Sequence, residues 1–121
     1  GYQADMDGAD NFTGMVYEET GRGFLAPRGQ FVRMAQGGAS KLISSLGAAN
    51  ALKAFIKAND WNQMHVIAKG NTLIHIINGH AMAAFIDEDS QGRAMEGLLG
   101  LQMHMGKPMK IEFRNVYLKK L

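Results

Sequence analysis

Residues 60–87, DWNQMHVIAKGNTLIHIINGHAMAAFID, decide the fold. Three runs rich in apolar and β-branched residues, 62–68, 72–77 and 80–86, are separated by two short breaks. The first break is Lys69-Gly70-Asn71. The second, Asn78-Gly79, is the strongest hairpin signal in the chain, because both central residues of a type I′ turn take positive φ. Three strands joined this tightly form an antiparallel meander.

The same period extends outward. In residues 2–7, Tyr2, Ala4 and Met6 alternate with Gln3, Asp5 and Asp7, the pattern of a half-buried strand. Residues 8–11 carry turn chemistry, and a second strand is expected over 13–19. Residues 21–29 hold three glycines and Pro27 and read as a loop. Between 40 and 58 the period changes. Leu42, Ile43 and Leu46, then Leu52, Phe55 and Ile56, fit helical spacing. One or two short helices are expected there, chiefly between about 50 and 57. Residues 87–96 (DEDSQGRAME) form a charged connection.

Residues 97–121, GLLGLQMHMGKPMKIEFRNVYLKKL, read as two more strands joined by the turn Gly106-Lys107-Pro108. Gln102 and His104 lie on one face of the first, with Leu99, Leu101 and Met103 on the other. In the second, Met109, Ile111 and Phe113 alternate with Lys110, Glu112 and Arg114. Short strands, tight turns and little helix predict an all-β, antiparallel β-sandwich.

A chain of 121 residues supports one domain. With 46% hydrophobic and 20% charged residues, the composition is that of a globular protein rather than a disordered one. The formal charge of +2, with its basic residues scattered, argues against a nucleic-acid partner. No apolar run approaches the roughly 20 residues that span a bilayer, and no signal peptide is visible. The absence of cysteine rules out disulfides and thiolate metal sites but leaves the compartment open. The chain opens without an initiator Met on what reads as strand interior. It is therefore expected to be part of a longer protein.

Several sharper motifs fail on spacing. Gly100 and Gly106-Lys107 miss the P-loop pattern by one residue, and Pro108 replaces its Ser/Thr. His65, His75, His80 and His104 show no local zinc spacing. No Ser sits in a G-x-S-x-G elbow. What remains is a polar constellation spread over several strands. Gln3, Asp5 and Asp7 share a face that is either solvent-facing edge or site. Tyr17 and Glu19 share another, on which Tyr17 reads as readily as core. Arg22 stands in the Gly-rich loop, where a side chain is either exposed or functional. His75 interrupts an apolar strand, and one hydrogen bond would satisfy it as a buried residue. Gln102 and His104 suit a ligand-lining position. Glu112 and Arg114 could merely pair with each other at the surface. Trp61 at a strand start reads as packing.

The wording of residues 97–121 resembles the C-terminal end of the 3-keto-disaccharide hydrolase family, a bacterial family of concanavalin A-like jelly-rolls. Three further stretches match that family in order: residues 1–7 (GYQADMD), 13–29 (TGMVYEETGRGFLAPRG) and 60–87. The resemblance implies one such domain over 1–121, lacking the family's opening strands. It also implies a lectin/glucanase-type jelly-roll whose concave sheet holds a carbohydrate. The E-x-D-x-x-E array of the related retaining glucanases is absent, with Asp5-x-Asp7 the nearest approach.

The implied activity is cleavage of 3-keto-glycosides by elimination and hydration at the C1–O bond. Such chemistry requires a general base, a stabiliser for an enolate oxygen and an acid for the leaving oxygen. On this reading the catalytic candidates are His104, Glu19, Asp5 and Tyr17, and the substrate-binding ones Gln102, His75, Arg22 and Arg114. Asp5, Glu19 or His75 would serve as base, His104 or Arg114 as oxyanion partner, and Tyr17 or His104 as acid. A divalent cation would do the oxyanion donors' work in their place. The rival reading is a non-catalytic carbohydrate-binding or interaction module of the same fold. The resemblance alone points to the periplasm or the cell exterior. Without the opening strands a sheet edge would stay open, so a homodimer or a partner segment is expected to cover it.

Overall fold

The computed structural model describes residues 1–106 and 108–121. Among them the elements are β1 (Tyr2–Ala4), β2 (Val16–Glu18), β3 (Gly23–Ala26), β4 (Gln30–Met34), β5 (Ser40–Ser45), α1 (Ala49–Lys53), β6 (Met64–Lys69), β7 (Thr72–Ile77) and β8 (His80–Asp87). They form a β-sandwich. One sheet has the order β1-β2-β3 and the other β5-β4-β8-β7-β6. All pairs are antiparallel except β4 with β8, which runs parallel in the register Gln30↔Ala83 to Met34↔Asp87.

The β6-β7-β8 meander follows the sequence pattern. Asn78 and Gly79 take φ of 50° and 84°, the positive pair a type I′ hairpin needs. The Asn78 side chain also accepts from the Gln63 amide and donates to the Phe55 carbonyl, each at 2.8 Å. The turn thereby fixes the entry to β6 and the stretch after α1.

Inward side chains of both sheets share one core: Val16, Leu25 and Ala26 from the small sheet, and Val32, Met34, Leu73, Ala83 and Phe85 from the large one. Tyr2 packs edge-on against Phe85, with ring centroids 6.4 Å apart. Leu52, Ile77 and Met82 form a second cluster that seats α1. Alternation thus sends Tyr2, Ala4, Val16 and Glu18 inward, and Gln3 and Tyr17 outward.

Three expectations are corrected. Residues 21–29 are not all loop, since they contain β3, whose flanking glycines Gly23 and Gly29 carry positive φ and make the ends of a strand look like loop throughout. Residues 40–45 form edge strand β5 on β4, while helix is confined to Ala49–Lys53. A short apolar run such as Leu42-Ile43 satisfies either period, and pairing with β4 decides it. Finally, the described part of residues 97–121 contains no strand. Alternation supplies strand propensity, but a strand also needs a ladder partner for its N–H and C=O groups. The expected turn at 106–108 includes Lys107, which lies outside the described residues.

Candidate functional site

The outward face of the β1-β2-β3 sheet gathers the polar residues of its strands. Cross-strand register sets Gln3 beside Tyr17, and Tyr17 beside Phe24. Asp5 follows Gln3 along the same face, and the Gln3 Nε2 donates to its Oδ1 at 3.1 Å. Glu19 extends the Tyr17 side. The Phe24 ring lies 4.8 Å from Tyr17 and 5.3 Å from Phe12, centroid to centroid. All six border a wide space of about 3510 Å³ that also runs along β6, the stretch after α1 and residues 97–121.

Burial pushes the Asp5 carboxyl above its ordinary range. The bond from Gln3 opposes this, while the negative charges of Asp7 and Glu19 add to it. A carboxyl shifted upward, on the face that also carries Gln3 and Tyr17, is equipped to exchange protons with a bound molecule.

Asp7 has different work. Its carboxylate accepts from the amides of Phe12 at 2.8 Å, Thr13 at 3.0 Å and Asn11 at 3.1 Å. Burial would raise its pKa, but these amides outweigh it and hold the carboxyl below the ordinary range. Arg28, only 5% exposed, closes the loop from inside. Its Nη2 donates to the carbonyls of Asp10 and Thr13, each at 2.9 Å. Together they fix the loop that carries Phe12. Neither Arg28 nor Phe24 was singled out from sequence: both fall in the stretch that reads as loop, and backbone carbonyl partners leave no spacing signal.

The other candidates divide. Gln102, His104 and Arg114 border the same space from residues 97–121. The Arg114 guanidinium sits 3.9 Å from the centroid of the Trp61 ring, a cation–π contact that ties this segment to the body. His75 is 1% exposed between the sheets, its Nδ1 3.1 Å from the Met15 carbonyl. It lines a separate cavity of about 380 Å³. Burial depresses its pKa against the backbone hydrogen bonds, so the ring is neutral at pH 7. Arg22 points into the sandwich, 2.6 Å from Glu18 and 2.8 Å from Asp87. The structure therefore sets Gln3 beside Tyr17 and in hydrogen-bond contact with Asp5, leaves Glu19, Gln102, His104 and Arg114 elsewhere along the border of the same space, and sets His75 and Arg22 in the interior.

A family model described as the 3-keto-alpha-glucoside-1,2-lyase-like domain matches residues 1–119. The chain belongs to this family. No curated protein and no solved structure matches it. Among the described residues no group of three or more Asp, Glu or His side chains is placed to hold a cation. No helix among the described residues is long and apolar enough to cross a membrane.

Proposed function

We propose that the outward face of the β1-β2-β3 sheet cleaves 3-keto-glycosides by 1,2-elimination. A ketone at C3 acidifies the C2–H bond. Asp5 removes that proton, and the C2–H electron pair moves into an enolate, with negative charge on the C3 oxygen. The enolate then collapses: C3=O reforms, a C1=C2 double bond forms, and the C1–O bond breaks. The departing oxygen takes its proton from the Tyr17 hydroxyl. Water added across C1=C2 yields the free 3-keto sugar. His104 is assigned to the enolate oxygen and Gln102 and Arg114 to sugar hydroxyls, with burial chiefly keeping the Asp5 carboxyl raised.

The observation that carries this reading is the row that sets Gln3 beside Tyr17 and in hydrogen-bond contact with Asp5, and the upward push of burial on the Asp5 carboxyl supports it. The base is given to Asp5 in preference to His75 because His75 faces the interior. The family description, which names a 1,2-lyase, supports the reaction class. The test is incubation with 3-keto-trehalose in deuterated water. Glucose release with deuterium at C2 of the 3-keto product is expected, with trehalose itself inert. Equal cleavage of both sugars without deuterium at C2 would point instead to two-carboxylate hydrolysis.

One observation favours the rival reading. Phe12 and Phe24 are 43% and 48% exposed beside the polar face, an aromatic surface suited to a binding module. Saturable sugar binding without turnover of either substrate would establish that reading.

A further inference from the structure

Leu73 and His75 point inward from β7, and the register sets Ala68 and Val66 of β6 opposite them. From the facing sheet, β1 contributes Tyr2 and Ala4. Ala4 and Ala68 are small where a packed core carries larger side chains, and a cavity of about 380 Å³ remains between the sheets. Residues 94–99, all exposed, border its outer side. An engineered cavity of about 150 Å³ holds a benzene molecule, and natural small-molecule sites begin at roughly 300 Å³. This one has room for a bicyclic aromatic molecule.

A buried imidazole lines it. His75 is 1% exposed, and its Nδ1 lies 3.1 Å from the Met15 carbonyl. A carbonyl only accepts, so Nδ1 carries the proton and Nε2 is left with a lone pair. Among the described residues Nε2 has no hydrogen-bond partner. The Tyr2 hydroxyl, by contrast, is already engaged, donating to Asp87 at 2.6 Å. Burial lowers the His75 pKa and keeps the ring neutral, so the lone pair persists at pH 7. An acceptor withdrawn from water and left unpaired is destabilising. Leucine or isoleucine, found at the neighbouring inward positions 73 and 77, would avoid that cost. The imidazole is therefore an acceptor kept for a donor that enters from outside.

We propose that this cavity binds a small, uncharged, largely apolar molecule carrying one hydroxyl, whose O–H donates to the His75 Nε2 while its hydrocarbon part lies among Ala4, Val66, Ala68 and Leu73. Apolar walls with a single placed polar group are the usual make-up of a small-molecule pocket, the walls giving affinity and the polar group orientation. A sugar would leave most of its hydroxyls unpaired here, so the cavity and the polar outward face suit different ligands. The site is independent of the elimination reading, since Gln3 and Asp5 lie on the opposite face of the small sheet.

The test is isothermal titration calorimetry with 2-naphthol and 2-methoxynaphthalene, which share a ring system and differ in the O–H donor. 2-Naphthol is expected to bind saturably and about tenfold more tightly than the ether, the scale of one hydrogen bond. His75→Leu should bring the two ligands to equal affinity. Ala68→Trp, at an exposed position on edge strand β6, should fill the cavity and abolish binding of both. Circular dichroism confirms the fold of each variant. If His75→Leu does not fold, the ligand pair and Ala68→Trp decide. Absence of saturable binding to wild type, equal affinities for the two ligands, a preference that survives in folded His75→Leu, or binding that survives Ala68→Trp overturns the proposal.

Discussion

The Nη2 of Arg22 lies 2.8 Å from the Oδ2 of Asp87, joining the turn after β2 in one sheet to the end of β8 in the other. Around this pair stand Glu18, 2.6 Å from the Arg22 Nε, and Tyr2, whose hydroxyl donates to Asp87 at 2.6 Å. Arg22→Met should leave the Asp87 carboxylate buried without its partner. A loss of about 3 kcal/mol is expected in urea unfolding, at the low end for a broken buried pair because Arg22 is partly exposed.

The same cluster sets the pH limits of stability. Burial works against the charged Asp87 and Glu18, but Arg22 outweighs it and holds both carboxyls below their ordinary range. A depressed folded pKa contributes stability that is present above the unfolded value and lost as pH falls through the folded one. Burial and the Asp87 contact push Tyr2 the other way, up to about 12. Its contribution is intact below the ordinary phenol value of 10.0 and lost as pH rises through about 12. Thermal melts should therefore fall steeply below the ordinary carboxylate range and again between those alkaline values. Tyr2→Phe should remove the alkaline fall.

Asp5 sets function against stability. Its raised carboxyl favours the protonated form in the folded chain, so its stabilising contribution lies below the unfolded pKa and is lost as pH rises through the folded one. At neutral pH, Asp5→Asn should raise Tm while cutting kcat by about 10²–10⁴. Because burial is the chief cause of the raised Asp5 carboxyl and Glu19 adds a small share, Glu19→Gln should move the acid limb of the kcat/KM profile only slightly to lower pH, and Asp5→Asn should abolish that limb. A limb that persists in Asp5→Asn would show that another group titrates there.

Asn78 is where local turn chemistry meets tertiary packing. Alanine would keep the strained positive φ while losing bonds to Gln63, Phe55 and Asn62. Asn78→Ala should cost about 3 kcal/mol, from one αL penalty and the lost hydrogen bonds. Asn78→Gly should cost less, because glycine relieves the backbone penalty although it loses the same side-chain bonds.

Residues 97–121 present their apolar side chains to water, Leu98 at 101% and Met105 at 93% exposure. Strand β1 leaves one edge of its sheet unpaired, and so does β6. Apolar alternation beside open edges favours association between chains. Light scattering should show concentration-dependent oligomers, and the double substitution Leu99→Lys with Leu101→Lys should shift them toward monomer. A wild type that stays monomeric at all concentrations would refute this.

What could be read in advance followed the range of the signal. The Asn78-Gly79 hairpin and the Gln3/Asp5 face depend on residues that are neighbours in the chain, so period and turn chemistry sufficed. Strand β5 could not be separated from helix because its Leu42-Ile43 run is short, and its strand state comes from β4. Arg28 and Phe24 gave no warning, since one acts through distant carbonyls and the other sits between glycines. The alternation in residues 97–121 described what those residues can become, whereas an actual strand depends on a neighbour. Trp61, read as packing, meets Arg114 from that segment.

The parallel seam between β4 and β8 has a consequence for biosynthesis. Strand β4 leaves the ribosome long before β8, yet β8 is its only link to β7 and β6. Until Asp87 has emerged, the β4-β5 hairpin has no strand to pair with on its other side, and Val32 and Met34 meet only the small sheet's half of the core. Nascent chains arrested before residue 80 should be protease-sensitive throughout, and those released past residue 87 should become resistant in one step. The interval between those two lengths is when the chain most needs a chaperone.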